Sequence, residues 1–239
     1  MVKYFFLFAT FLVAQALTAQ RISHIDFDDI RQQTTDSTHA FFYPQLADRL
    51  VNLDTSLSSA ECQALYYGNV FQDNYHPYGA TAIEKKFNES YNRGDSLSHL
   101  TKLAQEVMQN NPINLELYYR MIICSNRAKD QNSALTWAKL YVSFLEVIYA
   151  SGTGKTCDQA FVVISVDDEY RIAADLGLKV TKQSLIGTCD RLQFSKKGQK
   201  RKNRIKTLYF DVQMPLSYLS GSYKQIDQPL PDRLPDEEE

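Results

Sequence analysis

Residues Ser151–Thr156 read SGTGKT, and a glycine followed by Lys-Thr is the ending of a phosphate-binding loop. In that loop backbone N–H groups cradle the phosphates and the lysine reaches the outer ones. The motif requires G-x-x-x-x-G-K-[ST], with a strand before it and a helix after it. Tyr149 stands where the first glycine belongs, and the order is inverted, with a long helical pattern before the loop and a β-branched run after it. A helix C-terminus presents carbonyls, the wrong end for an anion. Gly152 reads as the left-handed stop of the preceding helix, and the loop as a domain junction. No nucleotide is expected.

Other chemistry-bearing residues are scattered. His24, His39, His76 and His99 share no ligand spacing, so no zinc site is assigned. There is no G-x-S-x-G element and no C-x-x-C. Asp167, Asp168 and Glu169 form the densest acidic cluster, but acids at a helix start are stabilised by the helix dipole without any ligand. No catalytic, cofactor or metal residue is assigned. One charge feature stands out, KKGQKRKNRIK, with Lys196, Lys197, Lys200, Arg201, Lys202, Arg204 and Lys206 in eleven residues. Its simpler reading is a solvated hairpin tip whose cations guard the strand edges. Its functional reading is a contact with an anionic partner.

These residues sit in a chain of 239, 44% hydrophobic and 23% charged, with enough apolar material for one large or two small cores. The formal net charge of −2 disfavours a dedicated nucleic-acid binder. MVKYFFLFATFLVAQALTAQ has Lys3, an apolar run over Tyr4–Ala14, then small residues at Ala16, Thr18 and Ala19. That is the layout of a secretory signal peptide over 1–19, and no later run is long enough to span a bilayer. Export makes disulfides relevant. Four cysteines allow three full pairings, and the sequence does not choose among them. Cys124 falls on an apolar helical stripe and reads as a buried thiol, while Cys157 and Cys189 are candidates for a bridge.

The supporting elements follow from periodicity. Residues 20–35 are polar and read as a flexible lead-in. SSAE at Ser58–Glu61 fits a capping box, opening a helix toward Phe71. Two helical hairpins follow, turning at Gly94–Asp95 and near Asp130. Apolar positions Leu117, Met121, Cys124 and Ala128, then Ala134, Ala138, Tyr141, Leu145 and Ile148, recur at helical steps. A tetratricopeptide likeness rests only on Tyr91, Pro112 and Ala134. After Gly152 the period changes. Ala160–Val166 reads as a buried strand, with a helix capped by Asp167 or Asp168 and stopped at Gly177. A strand over LKVTKQSLI, a hairpin of DRLQFSK and RIKTLYFDV, and a helix starting at Pro215 complete it. Aromatic segments near Phe41, Tyr66 and Tyr75 suit core packing or a groove. The expectation is an α+β fold: a helical-hairpin layer over 36–151, a small mixed α/β unit over 152–224 packed on it, and a disordered acidic tail over 225–239.

The segments FFYPQLADRLVNLDTSLSSAECQALYYGNVFQDNYHPYG, SGTGKTCDQAFVVISVDDEY and LYFDVQMPLSYL resemble the bacterial domain-of-unknown-function family 4919. The resemblance runs over about residues 36–224. It implies an exported envelope protein and supplies no ligand or catalytic residues. Taken together, the reading is a soluble periplasmic or extracellular protein that acts as a non-enzymatic binding or accessory module for a protein or an anionic surface polymer. The alternative is a hydrolase or other enzyme acting on envelope or surface glycans through an unrecognised site.

Overall fold

The computed structural model describes residues 25–221 apart from Arg201 and Asn203; the expected signal peptide and the expected disordered tail lie outside those residues, as does His24. Among the described residues seven helices come first. Helix α1 (Phe27–Thr35) replaces most of the expected flexible lead-in. Asp26 caps it, its carboxylate accepting from the Asp28 and Asp29 N–H groups, and Ile30 and Thr34 are buried one turn apart. Those two positions were the overlooked periodic signal. Helix α2 (Tyr43–Val51) leads to α3 (Ser59–Gly68), which opens on the Ser58–Glu61 capping box read from the sequence and continues as a single 3-10 turn over Asn69–Phe71.

The two hairpins are α4 (Ala82–Arg93) with α5 (Leu97–Asn110), and α6 (Leu115–Arg127) with α7 (Gln131–Ala150). Gly94 ends α4 at φ 78°, the left-handed stop that glycine permits. Their buried faces differ slightly from the expected stripes. Ala128 is exposed just past the end of α6. On α7 the face centres on Ala134, Trp137, Tyr141, Phe144 and Ile148, leaving Ala138 and Leu145 half-buried. The large rings decide the rotation: Trp137, Tyr118, Phe144, Tyr66 and Tyr67 form a chain of ring contacts with centroids 5.0–6.4 Å apart. Most tyrosines of the aromatic segments are therefore core.

Beyond the junction lies a four-stranded sheet in the order β1-β4-β3-β2. Its strands are β1 (Phe161–Val162), β2 (Val180–Ile186), β3 (Cys189–Phe194) and β4 (Thr207–Asp211). β1 runs parallel to β4, and the other pairings are antiparallel. The expected strand over Ala160–Val166 shrinks to two residues, because Val163–Ser165 leave the sheet and Val166 already begins helix α8 (Val166–Asp175). Ser165 caps α8 in place of Asp167 or Asp168. Helix α9 (Gln213–Ser220) starts two residues before Pro215, not at it. Cys157 and Cys189 are disulfide-bonded at a Cα separation of 5.7 Å, tying the 3-10 turn Cys157–Gln159 to the start of β3. Cys62 and Cys124 are buried thiols.

Gly152 is not a left-handed stop. Ser151 closes α7 in right-handed geometry, and it is Gly154 that has the positive φ, 64°. A Cβ on Gly152 would lie 2.1 Å from the Ala160 carbonyl oxygen, so glycine lets two backbone segments touch. Gly152→Ala should therefore cost roughly 1–3 kcal/mol or more, as overpacking against backbone does. Urea unfolding measures this, and an unchanged midpoint would show that the junction relaxes freely.

Candidate functional site

The segment joining β1 to α8 is threaded between the helical layer and the sheet, and helix-layer side chains serve its backbone. Ser151 Oγ accepts the Val162 N–H at 2.8 Å, and the Tyr67 hydroxyl donates to the Val162 carbonyl at 3.3 Å. The Tyr75 hydroxyl donates to the Ile164 carbonyl at 2.6 Å. Tyr66 does two things: its oxygen accepts the Ile164 N–H at 3.3 Å, and its proton goes to Asp168 Oδ2 at 2.7 Å. Tyr66 and Tyr75 come from one short stretch, held by the α3 capping box and the 3-10 turn that follows the helix.

Next to this seam is a cleft of about 80 Å³, lined by Glu84, Glu116, Asp167 and Asp168 and by the amides of Asn88, Asn111 and Asn114 among others. Two of the acids are fully engaged. Glu84 accepts from the Thr81 N–H and hydroxyl through one oxygen and from the Asn111 and Asn114 amides through the other. Glu116 pairs with Arg120 and Arg171. Burial raises the Asp167 carboxyl above its usual range, with Glu84 and Glu116 adding to it. Asp168, 5% exposed, is pushed up to about 7 by burial; the Tyr66 hydrogen bond opposes this and neighbouring Asp167 reinforces it.

Glu169 is the most unusual group. It is 0% exposed, and neither carboxyl oxygen has a hydrogen-bond partner. Burial, then the charges of Asp190 and Asp168, push it up to about 9. Asp190, on β3, keeps one oxygen unpaired while Gln183 donates to the other. The acidic cluster read from the sequence does lie in the first turn of α8, where the helix dipole favours acids, but two of its three members, Asp168 and Glu169, are buried. The signal was present, since Asp168 and Glu169 lie one turn before the buried Ile172 and Ala173. Among the described residues no three His, Cys, Asp or Glu side chains come together as a metal site.

SGTGKT has no free cradle. The Thr153 and Gly154 N–H groups both donate to the Gln159 carbonyl, and the Gly154 carbonyl accepts from Tyr209 N–H on β4. Lys155 and Thr156 are exposed to solvent. The loop is a junction between α7 and the sheet.

The basic segment is the β3–β4 turn. Lys196, Lys197, Lys200, Lys202, Arg204 and Lys206 are exposed, and Arg201 lies outside the described residues. None of the six pairs with a carboxylate among the described residues. One side chain fixes the turn. Gln199 donates to the Ser195 and Ile205 carbonyls at 2.8 and 2.9 Å and accepts the Ile205 N–H at 2.8 Å. The cations therefore project from a braced loop.

A family profile matches residues 28–220, from within α1 to the end of α9. The chain belongs to the DUF4919 family, a domain of unknown function. Neither the curated proteins nor the solved structures yield a match. The match spans both the helical layer and the sheet of this chain.

The buried Glu169 predicts a pH dependence. Its folded value, about 9, lies above the ordinary glutamate value of 4.5. Between those values the unfolded chain has released a proton that the folded chain retains, so stability falls as pH rises through the window. Glu169→Gln removes that penalty. Its stability gain over the parent should be larger at pH 8 than at pH 4.5, read by urea unfolding at both. An equal difference at the two pH values would mean that Glu169 ionises normally in the fold.

Proposed function

We propose that this DUF4919 chain is an exported, non-enzymatic binding module of the cell envelope that holds an anionic polymer on its β3–β4 turn. The observation that carries the reading is the braced array of six exposed, unneutralised cations. A fixed loop loses less conformational entropy on binding than a free one, and clustered charge of one sign attracts an oppositely charged partner at long range. Export is supported by the N-terminal pattern and by a disulfide of the kind that persists in oxidising compartments.

The enzyme reading draws on a specific observation too, because a carboxyl pushed up to about 7 on a cleft wall is suited to general acid or base work. Size counts against it: about 80 Å³ is small beside the roughly 300–1,000 Å³ of small-molecule sites. Asp168 is also already committed to the Tyr66 hydroxyl, which gives it a role in the seam.

Dextran sulfate is a suitable probe. Changing the six exposed cations of the turn to glutamine should weaken binding by roughly tenfold or more at low salt, while the thermal midpoint stays within about two degrees, since exposed unpaired cations contribute little to folding. The parent's affinity should fall steeply as salt rises. Unchanged affinity in the neutral variant would end this reading, and glycan hydrolysis abolished by Asp168→Asn would replace it with the enzyme.

A further inference from the structure

Strand β2 is the outer edge of the sheet, and among the described residues no strand covers its far side. Its orientation is determined by the backbone bonds around it. In an antiparallel ladder, residues alternate between exchanging both N–H···O bonds with their opposite and turning both groups away. Ser195 N–H donates to Lys179 on the β2 side, whereas Phe194 N–H donates to Lys206 on the β4 side. Alternation along β3 then directs Gln193, Arg191 and Cys189 toward β2, bonded to Lys182, Ser184 and Ile186 opposite them. Gln183 and Leu185 consequently turn their N–H and C=O groups to the open edge.

That edge is poorly guarded. Natural sheets blunt exposed edges with charges, prolines and bulges. β2 has one lysine, no proline, and a single irregularity confined to its first residues, between Val180 and Lys182. Beyond the irregularity, Leu185 and Ile186 are 54% and 49% exposed, and Tyr170 on α8, whose hydroxyl donates to Gln183, is 41% exposed beside them.

We infer that β2 is a self-pairing edge through which two copies of this chain join their sheets, antiparallel, about a two-fold axis at Ser184. In that register Gln183 lies opposite Leu185 of the second copy, and the two residues whose backbone groups face outward exchange four N–H···O bonds across the axis. Lys182 falls opposite Ile186, so its aliphatic stem covers an exposed apolar side chain and no two like charges meet. The strand is complementary to its own reverse, which is the condition a two-fold interface imposes. Gln183 and Leu185 share the face of Asp190 and Leu192, so Tyr170 of each copy would flank the joint. The pairing also sets the two basic turns at opposite ends of a continuous double sheet, as a bivalent grip on a long polymer would require; the dimer itself does not depend on polymer binding.

The mature chain provides the test. At the axis, opposed residues of a non-hydrogen-bonded pair have Cα atoms about 4.5 Å apart, within disulfide range. Ser184→Cys should therefore form a covalent dimer under mild oxidation at least about ten times faster than Thr181→Cys, which is exposed but off the axis. Sedimentation of the parent from micromolar to near-millimolar concentration should show a reversible dimer that Leu185→Lys weakens by roughly tenfold or more, since a charge on an apolar joint opposes pairing. A parent that stays monomeric throughout, with the Ser184→Cys variant cross-linking no faster than Thr181→Cys, overturns the proposal. So does a dimer that appears only after residues 222–239 are removed, which would assign the edge to that segment, or a dimer indifferent to Leu185→Lys.

Discussion

The fold depends on how the backbone of three residues, Val162–Ile164, is satisfied. A chain segment buried between two layers must pair its N–H and C=O groups or forfeit roughly 1–3 kcal/mol for each. A sheet would do this with strands on either side, but among the described residues β1 has a strand only on one side. Val163 N–H reaches the Asp211 carbonyl of the sheet, while Ser151, Tyr66, Tyr67 and Tyr75 serve Val162 and Ile164 from the helical side. Tyrosine suits this role, because its ring extends the aromatic core and its hydroxyl carries one polar group through that core to the far side. The helical layer therefore acts as the missing strand, and the sheet unit is fixed against it by polar contacts that tolerate little sliding.

From this constraint the acidic character of the seam follows. Tyr66 can accept the Ile164 N–H only if its own proton has somewhere to go, and Asp168 receives it. That commitment turns the start of α8 inward and brings Glu169 with it, since adjacent residues on a helix are only about 100° apart. Glu169 then meets the underside of β3, where Asp190 adds like charge. Burying one carboxyl for structural reasons has thus drawn in a second that no partner satisfies. The Arg171 guanidinium faces the other way, to Glu116, Asp175 and the ring of Tyr119, and so does not neutralise Glu169.

Local rules located the elements whose causes are local. The Ser58–Glu61 box, the Gly94 stop, the α6–α7 hairpin and the β3–β4 pairing follow from caps, glycines and periodicity within a few residues. The family likeness carried by the LYYG, YHPY and DDEY stretches is shown over 28–220. Legibility ended where partners are distant in sequence. A run as β-branched as Ala160–Val166 looks like a full strand, and only tyrosines far earlier in the chain explain why it stops after Val162. The same distance hid the role of Asp168. Gly152 failed for a related reason: its purpose is a contact with Ala160, which no dihedral preference reveals. The helix α1 was missed on composition alone, although its cap and two buried positions were in plain view.

The formal charge of −2 also misdescribes what a partner meets. It counts Glu169 as an anion, yet a group pushed up to about 9 carries its proton at neutral pH, and burial pushes Asp168 up as well, to about 7. Both of these acids are buried in the seam, where they contribute nothing to the surface. The six described cations of the β3–β4 turn are exposed and pair with no carboxylate among the described residues. A chain near neutrality by composition is therefore more basic where it faces solvent than its residue count implies, and that basicity is concentrated on one braced loop. Screening limits the field of each charge to about 8–10 Å at physiological salt, so local density outweighs the net value, and the turn presents a cationic surface whatever the whole molecule's charge.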